Sequence, residues 1–356
     1  MLIEFYQPMQ ARLTLRILVV AIAFSFSLQE LLAQSEKRLF DSNEVLELDM
    51  SISLKKLRVE TNDSTFMTQD ISVNEEGTWE TYPFEIRTRG NFRLKNCYYP
   101  PTRIRMAKDD AKGSIFQGTR KLKLVLPCAK GKNSGNYVGK EYLAYKMYEL
   151  VTDYYFRTRL VKMKLTNLDD KKGEQEELLG FVIEDDDDVA QRFDAEISEK
   201  KIPPNIMEDT ATVIHDFYQM MIGNTDWSGL YQHNQKVMIV GQKTIYPLAY
   251  DFDMCGLVNP PYAQVNSAVP ISKVTERLYR GFCRDESLFQ YVRQHFLDKE
   301  SELMGLIDQY QDLYTSADLK AMKSFVSEFF VMLKSDKLFK DRIVSSCRNL
   351  DGSYSF

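Results

Sequence analysis

Regular alternation of apolar and polar residues is the clearest pattern in the first part of the chain. Residues 45–57 carry an apolar side chain at every second position, which is the period of a strand. Residues 60–82 are polar and rich in turn-forming residues, so a loop is predicted there. Three shorter alternating segments predict three further strands, at 84–89, 102–106 and 121–126.

The polar positions of these three predicted strands are occupied by cations. Side chains two residues apart on a strand lie on the same face. The cationic pairs that share a face in this way are Arg87 with Arg89, Arg103 with Arg105, and Lys121 with Lys123. If the strands pair, the sheet has an apolar back and a cationic front. Such a front is either a phosphate-binding surface or a solvated basic face, and both interpretations stay open.

Helical and strand-like periods alternate farther along the chain. Apolar residues at helical spacing predict helices at 137–152 and 209–222, with Asp209 as the N-cap of the second and Gly223 at its end. Alternating runs predict two strand pairs, one at 159–165 and 178–184 and the other a hairpin at 236–240 and 244–250. From 271 to 347 the periodicity is almost wholly helical.

Composition and charge narrow the class of protein. With 44% apolar and 27% charged residues among 356, the chain has the composition of a globular protein that buries a core. The net charge of −5 argues against a general nucleic-acid-binding protein, and nucleic acid is not an expected partner. The basic charge is concentrated, because residues 84–132 contain 13 Lys and Arg but only 3 Asp and Glu. A local concentration of this kind is typical of a binding face.

The N-terminal segment has the pattern of an export signal. An apolar run of 12 residues at 17–28 follows Arg12 and Arg16, and a bilayer-spanning helix needs about 20 residues. We therefore predict a cleavable signal peptide at 1–34, with an N-terminal core helix as the alternative. The mature protein, predicted to be a single domain at 35–356, is then secreted or periplasmic and has no integral membrane span.

The cysteines are compatible with an oxidising compartment. Cys97 and Cys128 bracket the basic segment, and each follows a predicted strand, so they are the best candidates for a disulfide. Cys255, Cys283 and Cys347 remain, which is an odd number. The sequence contains no C-x-x-C motif and no Cys/His cluster, so a structural zinc site is not expected.

Carboxylates and an amide flank the predicted hairpin. Asp226 and Asn234 lie in the loop before it, and Asp251 and Asp253 follow its second strand directly. Because the two ends of a hairpin are neighbours in space, we expect these four side chains to converge. Carboxylate and amide oxygens suit Mg²⁺ or Mn²⁺ better than a softer metal, although simple turn chemistry would explain the same residues. The acidic run at 184–188 is interpreted as a solvated turn that caps a following helix.

Seven segments give the chain a resemblance to a known family. They are, in order, RTRGNFR (87–93), KLKLVL (121–126), EYLAYKMYELV (141–151), FRTRLVKMKL (156–165), LGFVIED (179–185), GNTDW (223–227) and YDFD (250–253). This series resembles the spore coat protein H (CotH) family of atypical protein kinases over residues 84–260. The resemblance implies an α+β, divergent protein-kinase-like fold. Its N-terminal β-rich lobe would span 35–184, and its mostly helical C-terminal lobe, which includes the hairpin, would span 185–356.

The same resemblance implies an activity and assigns residues to it. The activity is transfer of a phosphoryl group from ATP, with Mg²⁺ or Mn²⁺, to a protein or other hydroxyl acceptor. Asp226 matches the catalytic aspartate, and Asp251, with Asn234 and Asp253, matches the metal ligands. Phosphate contacts fall to Lys123, with Lys121 as its rival, and to Arg89, while Glu184 matches an acidic residue at the end of a strand.

The loop before the hairpin departs from the family pattern. Asp226 and Asn234 are eight residues apart where the family has five, Ser228 replaces a histidine, and His233 precedes Asn234 instead. One alternative is therefore an inactive, CotH-like binding or structural protein of the cell envelope. Another is a metal-dependent phosphoester hydrolase that uses the same carboxylates. The oligomeric state, the acceptor and the nucleotide preference are left open.

Overall fold

The computed structural model describes residues 38–131, 133–241, 243–265, 267 and 269–349. The predicted signal peptide at 1–34 lies outside these residues. Within them, no helix is both long and apolar enough to cross a membrane.

Seven strands close into a mixed β-barrel. Their order around the barrel is β1-β2-β3-β4-β5-β7-β6, and a parallel pairing of β1 with β6, Leu46 opposite Val161, closes the ring. Neighbours elsewhere in the ring run antiparallel. The barrel strands are β1 (Leu46–Ile52), β2 (Met67–Glu75), β3 (Thr78–Thr88), β4 (Thr102–Met106), β5 (Lys121–Val125), β6 (Thr158–Asn167) and β7 (Gln175–Glu184).

This barrel contradicts the predicted fold. The α+β class is correct, but the divergent protein-kinase-like fold, with its β-rich lobe and its mostly helical lobe, is wrong. The main cause is the segment 60–82, which we predicted to be a loop and which contains β2 and the start of β3. Only Ile71 and Val73 of β2 are buried, because much of the strand is exposed on both faces, so its apolar alternation is weak.

Ten helices in the described part of the chain cover the barrel and build the second core. They are α1 (Leu54–Glu60), α2 (Phe92–Asn96), α3 (Lys108–Ala111), α4 (Ser134–Val151), α5 (Asp186–Arg192), α6 (Asp209–Met221), α7 (Glu286–Asp298), α8 (Glu300–Gln309), α9 (Ser316–Lys334) and α10 (Asp336–Arg342). A separate three-stranded sheet has the order β10-β9-β8, with β8 at Ala195–Ile197, β9 at Gln235–Val240 and β10 at Thr244–Ala249. The predicted hairpin is thus confirmed as β9–β10, whereas β8 was not predicted.

Two predicted boundaries are wrong for local reasons. The strand predicted at 45–57 ends at Ile52, because the Ser53 side chain accepts a hydrogen bond from the Lys56 amide and starts α1. In the same way Glu208, not Asp209, caps α6, with its carboxylate accepting from the Ala211 amide. Gly223 ends that helix as predicted, with a φ of 63° that favours glycine.

Two hydrophobic cores result. One fills the barrel with alternate strand residues such as Leu48 and Ile104, together with Leu57 of α1. The other packs α4 and α6 between the outer face of the barrel and helices α7 to α10. Residues 223–234 leave α6 and enter β9 beside this second core, so a rigid helix and a rigid hairpin hold the loop between them.

The disulfides agree with the sequence in part. Cys97 and Cys128 are bonded as predicted, with their Cα atoms 4.4 Å apart. A second disulfide joins Cys283 to Cys347, and the sequence pattern gave no sign of it. Cys255 is a buried free thiol whose pKa burial raises to about 12, so it is inert at neutral pH.

Candidate functional site

The open end of the β9–β10 hairpin holds two polar residues in an uncommon backbone conformation. Asn234 has a φ of 50° and Asp251 a φ of 64°, both in the left-handed region that L-residues rarely adopt. The Tyr250 amide donates to the Asn234 carbonyl at 3.4 Å, and the Asp251 amide donates to the Tyr145 hydroxyl at 2.9 Å. Strain of this kind is typical of functional sites, because surrounding contacts must maintain it.

Asp226 is bonded directly to this end of the hairpin. The Asn234 amide nitrogen lies 2.7 Å from the Asp226 carbonyl oxygen and 3.1 Å from its carboxylate, and His233 Nε2 lies 3.2 Å from the other carboxylate oxygen. Reciprocal backbone bonds between Ser228 and His233, at 3.0 and 3.1 Å, fold the loop back on itself. The longer Asp–Asn spacing is therefore accommodated by a small internal turn, and Asn234 still reaches Asp226.

The Asp226 carboxylate is shifted toward its protonated form. Burial raises its pKa, the nearby negative charge of Asp251 raises it further, and His233 and Asn234 oppose the change. Its side chain is 30% exposed, so a solvent-borne hydroxyl can still approach it. A partly buried carboxylate with a raised pKa is suited to accept or orient a proton at neutral pH.

The backbone around Asp226 is clamped from the other side. Arg280 Nη1 donates to the carbonyl oxygens of Thr225 and Trp227, the residues on either side of Asp226, the second at 2.7 Å. Arg280 lies three residues from Cys283, and the disulfide to Cys347 fixes that segment. The described structure thus ties both flanks of Asp226 to a covalently anchored segment.

Asp253 lies deeper and already has partners. The Tyr262 hydroxyl donates to its carboxylate at 3.3 Å, and Arg93 Nε lies 3.9 Å from the same oxygen. Arg93 also approaches Glu141, with 3.7 Å between Nη1 and Oε2. Burial, followed by the charge of Asp251, raises the pKa of Asp253 to about 7, and burial also raises that of Glu141. One guanidinium therefore lies near two buried carboxyl groups, and burial raises the pKa of both.

The predicted cationic face exists, but carboxylates neutralise most of it. Arg103 lies opposite both Arg87 and Lys123 in the barrel. The acidic run supplies three of the partners, and the pairs on this face are Arg87–Asp63, Arg103–Asp185, Arg105–Glu85, Lys121–Asp187 and Lys123–Asp186. Asp185 caps α5 as predicted, but the interpretation of 184–188 as a solvated turn is wrong, because Glu184 and Asp185 are buried.

Lys123 differs from its rival Lys121 in burial. The Lys123 side chain is 8% exposed, ion-paired to Asp186 and 4.6 Å from the centre of the Phe156 ring, whereas that of Lys121 is 44% exposed. Burial lowers the pKa of Lys123. Burial alone would raise the pKa of Asp186, but Lys123 and Lys236 together lower it to about 2. Lys236, whose ammonium lies 3.0 Å from the second Asp186 oxygen, is a member of the site that the sequence analysis missed.

Among the described cations of this face, Arg89 is the one with no carboxylate partner. Within the described part of the chain its guanidinium forms no ion pair, and its buried Nε has no hydrogen-bond partner. Burial raises the pKa of Tyr250 and of Glu141, and the charge of Arg89 opposes both shifts. Arg89 therefore lies close enough to interact with both residues. A half-buried cation of this kind suits an anionic ligand.

Two cavities of about 300 Å³ flank these groups. One is lined by Asp186, Lys236 and Tyr250, together with residues 197–199 at the end of β8. The other is lined by Arg93, Glu141 and Tyr262, together with apolar residues of α4. The site therefore offers a charged cavity and a more apolar one.

In the described part of the chain, no group of three His, Cys, Asp or Glu side chains is arranged to hold a metal ion. The structure brings Asn234 into contact with Asp226 and lets Asp251 act on Asp226 and Asp253 through its charge, while Asp253 itself faces Arg93. Oxygen donors from Asp251 and Asn234 fit Mg²⁺, which uses one or two carboxylates together with substrate phosphates and water. Convergence of all four residues on one ion stays a prediction.

Arg93 could have been identified from the sequence, since it belongs to the basic RTRGNFR segment. Nothing local predicts that Lys236 shares Asp186 with Lys123, because the two lysines lie on β9 and β5.

Comparison of the chain with protein-family models and with curated proteins found no match. The resemblance to the CotH family rests on the quoted motifs.

Proposed function

We propose that the chain is an exported, ATP-dependent phosphotransferase that modifies a hydroxyl group of a protein or small molecule. The observation that carries this proposal is the end of the hairpin, where Asn234 and Asp251 hold strained conformations next to the Asp226 carboxylate. The proposal rests on this arrangement of groups and does not need the kinase-like fold that the barrel replaces.

In this proposal Asp226 binds the acceptor hydroxyl group. Its raised pKa and its bonds to His233 and Asn234 leave a carboxylate that can orient a hydroxyl and take its proton during transfer. Arg280 and Asn234 fix the backbone and the side chain of Asp226, so the acceptor would meet a pre-organised group.

In this proposal the nucleotide phosphates are bound by three cationic side chains, those of Arg89, Lys123 and Lys236. Arg89 offers an uncompensated guanidinium, and Lys123 and Lys236 converge on one carboxylate beside the charged cavity. A nucleotide that enters this cavity would meet Lys236 and the Tyr250 ring, with Asp186, the shared partner of Lys236 and Lys123, in the same lining. Cationic side chains neutralise phosphate charge without any covalent step by the protein.

Asp251 and Asn234 are the residues that would hold Mg²⁺ or Mn²⁺, which supplies charge neutralisation at the transferred phosphoryl group. The left-handed backbone at both residues and the Tyr145 bond to the Asp251 amide keep these donors in place. Asp253, which is buried and paired with Arg93, is a weaker candidate ligand.

A second candidate is a binding protein of the cell envelope that does not turn over. Two observations favour it: Lys123 is already paired with Asp186, and the described residues include no group of three metal-binding side chains. Such a protein would bind a nucleotide or another polyanion through Arg89 and would transfer nothing.

A labelling assay separates the phosphotransferase from the binding protein. The purified mature protein is incubated with γ-labelled ATP and Mn²⁺, with and without candidate acceptors. Asp251→Ala is the test variant, and Asp312→Ala, at an exposed position in a 3-10 helix, is the matched control. Label that appears on protein or acceptor with wild type and Asp312→Ala, but not with Asp251→Ala, supports the phosphotransferase. Release of free phosphate alone would indicate a phosphoester hydrolase, and nucleotide binding without either product would indicate the binding protein.

A further inference from the structure

A chain of buried hydrogen bonds reaches Asp226 from inside the second core. The Asp226 amide donates to Asn224 Oδ1 at 2.9 Å, and Asn224 Nδ2 donates to Gln219 Oε1 at 2.8 Å. The Asn224 amide also donates to the Gln219 backbone carbonyl at 2.8 Å. Asn224 is therefore held by α6 on one side and bonded to the Asp226 backbone on the other.

The chain continues to a histidine and a carboxylate. Gln219 Nε2 lies 3.4 Å from His215 Nε2, and His215 Nδ1 lies 3.0 Å from Asp216 Oδ1. Since the Gln219 amide nitrogen can only donate, His215 Nε2 accepts from it and His215 Nδ1–H donates to Asp216. Every donor then points the same way, from Asp226 toward the Asp216 carboxylate, and each bond polarises the next.

Burial makes this chain costly to leave incomplete. The four side chains, Asn224, Gln219, His215 and Asp216, are all almost completely buried, and the His215 ring packs edge-on to Trp227 at 4.8 Å between ring centres. A buried amide that loses its partner is not compensated by water, so no member can rotate away without loss of stability. The orientation of Asn224 Oδ1 toward the Asp226 amide is therefore determined by the core.

We propose that Asn224 is the positioning residue for the Asp226 carboxylate, with Gln219 and His215 keeping its side-chain amide in the required orientation. The contacts on the carboxylate itself come from the half-exposed His233 and from Asn234, whereas Asn224 fixes the backbone from which the side chain projects. A displacement of about 1 Å at a reacting group can lower a rate about 100-fold. This inference rests on the proposed phosphotransferase function for its catalytic consequence, but not for its structural part.

The test compares two substitutions of one residue. Asn224→Ala removes the acceptor for the Asp226 amide, whereas Asn224→Asp keeps an oxygen at that position. Asn167→Ala is the matched control, because Asn167 is also a buried asparagine that bonds backbone amides, those of Leu54 and Asp169 beside α1. We expect Asn224→Ala to lower kcat by about 10- to 100-fold with little change in KM for ATP. Asn224→Asp keeps an acceptor for the Asp226 amide but loses the donor to Gln219 Oε1, so it should recover only part of that loss, and Asn167→Ala should leave kcat unchanged.

Hydrogen–deuterium exchange of the 224–228 segment provides a second measurement that needs no activity. Exchange at the Asp226 amide should accelerate in Asn224→Ala, accelerate less in Asn224→Asp, and stay close to wild type in Asn167→Ala. Unchanged exchange in Asn224→Ala, or equal losses of kcat in Asn224→Ala and Asn167→Ala, would overturn the inference. If wild type transfers no phosphate but exchange accelerates as expected, the proposed function fails while the positioning of Asp226 by Asn224 stands.

Discussion

Removal of the Lys123 side chain is the perturbation that best separates a built phosphate site from a solvated basic face. In wild type its ammonium shares the Asp186 carboxylate with Lys236 and lies near the Phe156 ring. Lys123→Ala leaves this mostly buried carboxylate with a single cation. Lys121→Ala removes the neighbouring lysine of the same strand, whose partner Asp187 is 70% exposed.

The magnitude follows from the Asp186 pKa. Two lysines lower that pKa from 3.8 to about 2, and each pKa unit corresponds to about 1.4 kcal/mol, so the pairs contribute about 2–3 kcal/mol above pH 4. Lys123 is the more buried of the two, so Lys123→Ala should lower the free energy of unfolding by about 2 kcal/mol or more. The exposed Lys121 pair should be worth less than about 1 kcal/mol. Because the folded-state pKa of Asp186 is depressed, this contribution exists above pH 4 and disappears as pH falls through about 2.

Urea unfolding followed by tryptophan fluorescence measures both variants against wild type at pH 7 and pH 3. Calorimetry with ATP should show weaker binding in Lys123→Ala than in Lys121→Ala, with wild-type binding weakening as salt rises. Equal, negligible effects of the two substitutions on unfolding and on ATP binding would refute the reasoning. The face would then be a solvated surface.

Three further predictions concern other parts of the account. Asp226→Asn should leave Mn²⁺-ATP binding within about threefold by calorimetry while abolishing label transfer, because only proton acceptance is lost. Burial, with Asp185 and Glu184, raises the pKa of Asp188 to about 7, so its contribution to stability declines as pH rises from 4 to 7; Asp188→Asn should flatten that decline in pH-dependent urea titrations. Replacing Cys97 and Cys128 by alanine should cost about 4 kcal/mol of unfolding free energy, measured against non-reduced wild type.

Local patterns predicted the parts of the fold that form between near neighbours in sequence. The strand at 102–106 matches β4, and the hairpin matches β9–β10, because alternation and a short turn define both. Barrel closure depends on a parallel pairing of β1 with β6, which are more than 100 residues apart, and no local pattern encodes it. Strand β2 was not predicted, because its apolar alternation is weak. The fold prediction failed at this strand and at the closure of the barrel.

The candidate site divides in the same way. The approach of Asn234 to Asp251 follows from hairpin geometry, and the sequence places it correctly at the open end. The ion pair between Lys123 and Asp186 joins residues 63 apart. The sequence showed a cationic face and an acidic run, but not that one neutralises the other.

A structure of the mature protein with Mg²⁺ and a non-hydrolysable ATP analogue tests the central claim most directly. Mg²⁺ should lie about 2.1 Å from an Asp251 oxygen, the phosphates should contact Arg89 and Lys123, and the Asp226 carboxylate should face the terminal phosphate. A nucleotide bound away from Asp251, or an Asp226 carboxylate more than about 10 Å from the metal, would contradict the proposed phosphotransferase.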